Sequence, residues 1–277
     1  MSCTVRLFVN HSIAYRFTQP QQRLIQLLRL TPGSHYGQNI VDWRIDVDCD
    51  ARLRTARDGF GNETAMLYVD GPVERIGITV AGEVLTDDRA GVVAGTLETL
   101  PPAVYLQETP LTRADAAIVA LAADVADHAA PLDRAHALNR AIAEATTLDA
   151  VAKSPDLCDA AATLADGHGT ANALAMLFVS AARTIGLPAR LVAGYRCPPG
   201  EPPAPARPHA WAEAHVEHYG WIGFDPGHEL CPDDNYVRVA IGLDYRDVAP
   251  VSGARIGGGV EELEVDVRVA SEDQHQD

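Results

Sequence analysis

The sequence predicts an α+β fold in which an N-terminal antiparallel β-sandwich-like module precedes a core of helices packed on an antiparallel sheet. Three observations carry this reading. Apolar and polar side chains alternate with a period of two over residues 1–92. Apolar residues then recur at helical spacing over residues 112–186, and alternation returns after Pro188.

In the first segment Cys3, Val5, Leu7 and Val9 alternate with mostly polar partners, as do Ile13, Tyr15 and Phe17. Val41, Trp43, Ile45 and Val47 face away from Asp42, Arg44, Asp46 and Asp48, and Ile76, Ile78 and Val80 form a further run. Asp58-Gly59-Phe60-Gly61-Asn62 is turn chemistry between two such runs, and Asp87-Asp88 marks another turn. Many short antiparallel strands are expected here, with no cluster of titratable groups at catalytic spacing.

Pro101, Pro102 and Pro110 make residues 93–111 read as a linker. A helix is expected over 113–127 with Thr112 as its cap, and a second from Asp133 to Thr146 with Ala135, Leu138, Ala141 and Ile142 on one side. A third starts near Thr170: Leu174, Leu177, Phe178, Ala181 and Ile185 form an apolar stripe, and the other side is small or apolar too. Such a helix is buried nearly all round, and Gly186 and Pro188 end it. A strand from Arg190 to Tyr195 follows. Residues 197–208 are proline-rich and cannot be a central strand, leaving a loop that is either a spacer or a gate.

Two more strands are His209–His218 and Trp221–Asp225. His209, Trp211, Glu213 and His215 share one face of the first, so His209 and Asp225 can point to the same edge of adjacent strands. Near the end Leu263, Val265, Val267 and Val269 alternate in a C-terminal strand, taken as residues 251–270 and expected to pack on the N-terminal module. Residues 271–277 read as a disordered tail.

Bulk properties narrow the function. The chain has 277 residues, 22 basic against 38 acidic, and a net charge of −16. Such a surface repels phosphate backbones and anionic lipid, which argues against nucleic acid and membrane partners. Cys3, Cys49, Cys158, Cys197 and Cys231 are odd in number and irregular in spacing, which fits neither a disulfide framework nor a zinc knuckle. The first residues lack an unbroken apolar core, so no signal peptide is read and a reduced, cytoplasmic setting is expected. His209, His215, His218 and His228 fall within twenty residues, but His215 and His218 point to opposite faces of a strand. They read as surface residues; no metal and no cofactor is expected.

The stretch Gly167 to Arg190, with its GLPAR exit, is followed by GY, by His209-Ala210-Trp211 and by Gly223-Phe224-Asp225-Pro226. In this order and spacing the chain resembles the transglutaminase-like superfamily of papain-type thiol enzymes. The start of the chain, with its YRF and its Asp-x-Phe-Gly-Asn turn, resembles the β domain found ahead of bacterial members. The resemblance implies a papain/transglutaminase-like core over 112–250 and a Cys-His-Asp triad acting on peptide or protein amides. Position 171 would be the nucleophile, His209 the general base and acid, and Asp225 the orienting carboxylate. Trp211, Tyr195, Gly169 and Asn172 would line the substrate pocket.

Position 171 is alanine, however. A thiol site needs a sulfur held as thiolate, an imidazole to pair with it and a carboxylate to orient the imidazole. A helix N-terminus would lower the thiol pKa and offer N–H groups to an oxyanion. A methyl group supplies none of that nucleophilicity. Either a cysteine has been replaced, or the chain is a natural pseudoenzyme that binds through the same cleft without turnover. The pattern's Gln-Asp after the nucleophile reads Asn172-Ala173, and its helical histidine reads Met176, which leaves substrate preference open. Hydrolysis and transfer to an amine both stay open, as does a structural role made by the β module.

Overall fold

The computed structural model describes residues 4–149, 158–197 and 208–272. Cys3, residues 198–207 of the proline-rich excursion and residues 273–277 of the tail lie outside them. In chain order the elements are β1 (Thr4–Thr31), β2 (Gln38–Val47), β3 (Arg52–Arg57), β4 (Glu63–Asp87) and β5 (Val92–Val93), then a 3-10 turn at Pro102–Leu106. Next come α1 (Ala116–Ala126), α2 (Pro131–Ala145), β6 (Thr147–Leu148), α3 (Ala160–Asp166), β7 (His168–Gly169) and α4 (Ala171–Thr184). The chain continues with β8 (Ala189–Arg196), β9 (Pro208–Val216), β10 (Gly220–Phe224) and β11 (Tyr236–Gly242). It closes with α5 (Tyr245–Val248), β12 (Val251–Ile256) and β13 (Glu261–Glu272).

The N-terminal module is built differently from a string of short strands. β1 has 28 residues and β4 has 25, and they pair antiparallel along their length, with register shifts between Arg16 and Arg23. The shifts divide the sheet. On one side β13 pairs β1 and β2 pairs β4; on the other β12 pairs β1 and β3 pairs β4. One buried cluster joins Ile13, Tyr15, Phe17 and Ile78 with Leu24, Leu28, Leu67 and Val69, so both halves enclose a common core. The expected single C-terminal strand is thus two strands, both on β1, and residues 271 and 272 belong to the second. On β2 a register shift between Ile40 and Asp42 turns Val41 outward, 49% exposed, against the alternation read from sequence.

Among the described residues the core contains a five-stranded antiparallel sheet ordered β11-β8-β9-β10-β5. α4 crosses β8 and β9 and is covered by α1, α2 and α3, which buries Ala173 through Ala182 without a break. Its C-terminus is a Schellman turn: the Leu187 N–H donates to the Ala182 carbonyl at 3.0 Å and the Gly186 N–H to Arg183 at 3.1 Å. Gly186 supplies the left-handed φ of +76°. α1 starts three residues later than expected, capped by Asp115, whose carboxylate accepts the Ile118 N–H at 2.9 Å. α3, too short to show a period in the sequence, is capped by Asp159.

Residues 93–111 run mostly along the surface but are anchored at Tyr105 and Leu111. Tyr105 is fully buried, and its carbonyl accepts from Arg183 Nε at 2.9 Å. The same guanidinium donates to the Ala189 and Leu243 carbonyls and to Thr112 Oγ1.

Two side-chain amides join the module to the core. Gln38 Nε2 donates to the Arg238 carbonyl at 2.9 Å, and its Oε1 accepts the Arg238 N–H at 2.8 Å. Asn62 repeats this at Ile241, with both bonds at 2.8 Å. Asp58 holds Asn62 in place, accepting its N–H and its amide, both at 3.0 Å. The Asp58–Asn62 turn therefore does more than reverse the chain: it presents a backbone-like amide to β11.

Between the two bodies Leu7, Val9, Val84, Val267 and Val269 pack with Met176, Leu191, Tyr195, Ala210 and Val237. His11, 1% exposed, sits in this interface and shares a 2.9 Å hydrogen bond with the Tyr195 hydroxyl. Burial lowers its pKa from 6.5 to about 4, against a smaller upward pull from Asp266. The fold thus favours neutral His11: its contribution is complete above pH 6.5 and is lost as pH falls through 4. Across that window the unfolding free energy is expected to drop by about 3 kcal/mol on this account. Urea titrations above and below the window, on the wild type and on His11→Leu, check it. An unchanged acid slope in the variant would refute the assignment.

Candidate functional site

Position 171 is the first residue of α4. Thr170 caps the helix, its Oγ1 accepting the Ala173 N–H at 3.3 Å. The helix entrance is held from below by a short parallel ladder, in which Leu148 pairs with Gly169 and the Asp149 N–H donates to the Gly169 carbonyl at 2.8 Å. Gly169 is buried; a Cβ there would stand 3.0 Å from that of Ala173. Ala171 and Asn172 are half-buried, at the end of the helix where N–H groups lack intrahelical partners.

His209 and Asp225 meet. His209 Nε2 lies 2.6 Å from Asp225 Oδ2, on neighbouring strands of the sheet. The same carboxylate oxygen accepts the Tyr236 hydroxyl at 2.7 Å and faces His228 Nδ1 at 3.0 Å, while Oδ1 accepts the Gly227 N–H at 3.0 Å. Burial raises the carboxyl pKa, but the hydrogen bonds from His209 and His228 outweigh this and hold it well below the usual carboxylate range. Ionised Asp225 takes the proton-bearing Nε2 of His209, which leaves Nδ1 as the nitrogen able to accept a proton. The Tyr236 hydroxyl, buried and next to this charge, is pushed far above its ordinary pKa and stays a donor.

The carboxylate loop and the helix entrance touch through one residue. A Cβ at Gly227 would lie 3.3 Å from the methyls of Leu148, the residue that pairs with Gly169. The loop that carries Asp225 therefore packs on the ladder that leads into α4.

The two aromatic residues are both buried. Trp211 is 2% exposed, behind His209, with ring centroids 6.3 Å apart and Tyr236 edge-on at 5.3 Å. It buttresses the imidazole. Tyr195 is buried in the interface with the N-terminal module, bonded to His11 and tilted against Trp43. His228 is no surface residue either: it is 26% exposed at the side chain and turned onto Asp225. His215 packs edge-on to Trp221, and His218 is exposed. Neither Cys231 nor Cys197 has surroundings that favour a thiolate. Cys231 lies against Gly91 with its thiol pushed up by burial, and Cys197, also pushed up by burial, donates to the Val269 carbonyl.

Behind the site lies a buried charge network that the sequence reading did not find. Arg190 and Glu213 are both fully buried and joined at 2.7 Å, Arg238 reaches Glu213 at 2.7 Å, and Glu98 grips Arg190 with two bonds at 2.7 and 3.0 Å. The Arg190 guanidinium also lies 3.7 Å over the Trp221 ring. A glutamate between Ala212 and Ala214, on a strand buried on both faces, was the available signal.

Two family descriptions match the sequence in the order in which the structure places the two bodies. Residues 7–85 match the bacterial transglutaminase-like N-terminal region, and residues 119–226 match the transglutaminase-like superfamily core. The chain carries a transglutaminase-like core behind a bacterial transglutaminase-like N-terminal region. An uncharacterized Mycobacterium leprae protein is 25% identical over 95% of this chain and 98% of its own length. An uncharacterized Mycobacterium tuberculosis protein is 27% identical over 91% and 88%. A solved candidate cysteine protease from Cytophaga hutchinsonii superposes on this transglutaminase-like chain with a TM-score of 0.78 at 18% identity, covering 99% of this chain and 93% of that one. The shared fold thus includes the N-terminal module. No helix among the described residues is long and apolar enough to cross a membrane.

Proposed function

We propose that this chain is an amide-recognising member of the superfamily, built for thiol acyl transfer or amide hydrolysis on peptides or proteins, and that Ala171 leaves it able to bind and unable to turn over. The observation that carries the reading is the 2.6 Å His209–Asp225 pair, whose loop packs through Gly227 on Leu148, the ladder partner of Gly169 just ahead of α4. A thiol at 171 would sit where the helix end favours thiolate and where N–H groups could hold an oxyanion. His209, oriented through Nε2, would take the thiol proton on Nδ1 and return it to the leaving amine. Whether water or an amine then resolves the acyl intermediate depends on how far the bound complex excludes water.

The test is Ala171→Cys. The expected result is rapid alkylation at 171 by an iodoacetamide probe and release of ammonia or amine from glutamine-containing peptides, both lost in Ala171→Cys with His209→Ala. Alkylation no faster than at the native cysteines, and no amide turnover, would overturn the enzyme reading. Retention of a peptide by the unaltered chain, lost on blocking the face around 171 and 209, supports binding without turnover.

A further inference from the structure

Three groups converge on one point in a way the thiol mechanism does not need. His209, Asp225 and His228 each present one ligand atom, and these atoms all lie within 4.8 Å of one another. A triad uses one imidazole on its carboxylate; here two imidazoles address the same oxygen, Asp225 Oδ2. His228 is held there by design of its loop. The Asp225 N–H donates to the Leu230 carbonyl at 2.8 Å, and the His228 N–H donates back to the Asp225 carbonyl at 3.2 Å. Glu229 takes a left-handed φ of +54°, which a residue with a side chain adopts at a cost. The resulting tight turn points His228 inward.

We propose that His209, Asp225 and His228 bind a single divalent transition-metal ion of the zinc class, with a fourth coordination position open to water beside His228. Two histidines and one carboxylate are a donor set that suits zinc and its neighbours, and three protein ligands with one open position is the composition of catalytic zinc sites. The burial supports entry from one side only: the Asp225 side chain is 1% exposed, that of His209 10% and that of His228 26%.

Binding needs no group to leave the protein. The proton on His209 moves to Nδ1 and that on His228 to Nε2, so both imidazoles stay neutral and turn lone pairs toward the ion. The N–O separations of 2.6 and 3.0 Å open by a few tenths of an ångström or more to seat an ion with bonds of about 2.0 to 2.2 Å. Asp225 is already oriented by outer partners, with Gly227 N–H on Oδ1 and the Tyr236 hydroxyl on Oδ2, as the carboxylates of metal sites are. The ion would add positive charge beside the buried carboxylate.

This inference does not rest on the thiol reading, because it turns on His228, which that reading leaves idle. The two also fail separately. An ion on His209 would silence an Ala171→Cys enzyme, so the alkylation assay is run with chelator and the metal assay on the unaltered chain.

The experiment strips the purified chain with a chelator and titrates it calorimetrically with Zn2+, then repeats the addition with Co2+ under visible absorption. The expected result is one ion per chain, with cobalt d–d bands typical of nitrogen and oxygen ligands and no thiolate charge-transfer band. His228→Ala is expected to weaken binding by more than about 100-fold, since losing even an outer partner of a metal ligand costs 10- to 100-fold. Asp225→Asn should do the same. Far-UV circular dichroism and the metal-free Tm of His228→Ala, a partly exposed loop residue, confirm that it folds and keep the result decisive if Asp225→Asn does not. Absent binding, a thiolate band, or affinity that survives His228→Ala would each overturn the proposal.

Discussion

Arg190→Ala is expected to lower the unfolding free energy by about 3 to 5 kcal/mol, the cost of removing one partner from a buried ion pair. Glu213, fully buried, would keep only Arg238, and Glu98 would lose both of its bonds to the guanidinium. The stacked contact over Trp221 would go as well, leaving a cavity between that ring and Tyr105. Urea denaturation followed by tryptophan fluorescence measures it; a loss below about 1 kcal/mol would mean that the network is energetically redundant. Glu213→Gln on the same background should cost less than its separate effect, because the uncompensated carboxylate is then gone. Acid provides an independent check. Burial raises the Glu213 pKa, but Arg238 and Arg190 overcome this and lower it from 4.5 to about 2. The stability it contributes is present above pH 4.5 and fades as pH falls through 2, and Arg190→Ala should shrink that fading.

The second large effect concerns chemistry. On the Ala171→Cys background, Asp225→Asn is expected to reduce amide turnover on the order of 10^4-fold, the loss that follows when a triad carboxylate becomes an amide. An asparagine can offer its oxygen to His209, His228 and Tyr236 only by turning its NH2 against the Gly227 N–H. It also removes the negative charge that stabilises a protonated His209 in the transition state. Steady-state kinetics on a glutamine peptide decide it. A fall of tenfold or less, with His209 still required, would show that Asp225 places the ring without stabilising its charge.

The sequence carried the architecture well wherever one residue type has one physical use. Gly186 and Pro188 end α4 because a left-handed cap and a ring without an N–H stop a helix. An apolar side chain at nearly every position of that helix has no reading but burial. His209 and Asp225 were legible because a period of two fixes which residues share an edge. What failed was register and length. Bulges at Ile40–Asp42 and at Arg16–Arg23 flip or shift side chains without any composition signal, so Val41 was placed inward and β1 was broken into pieces. A strand pattern also does not say which layer covers each face, so the packing of Tyr195 on the N-terminal module is not readable from it. His228 was lost for a different reason: its direction is set by a loop turn at Glu229, and loops carry no period.

The amide clips from Gln38 and Asn62 have a consequence for how this protein must be handled and how it must have been assembled. β11 is the outermost strand of its sheet, and such strands offer unpaired N–H and carbonyl groups to any extended chain. Here the vacancies at Arg238 and Ile241 are filled by side chains whose amides copy the main chain, so they satisfy the rim without extending it. The N-terminal module thereby covers this stretch of the edge. A fragment cut to the transglutaminase-like core alone would bare that strand to pairing with its own copies, and its insolubility would say nothing about whether that core can fold.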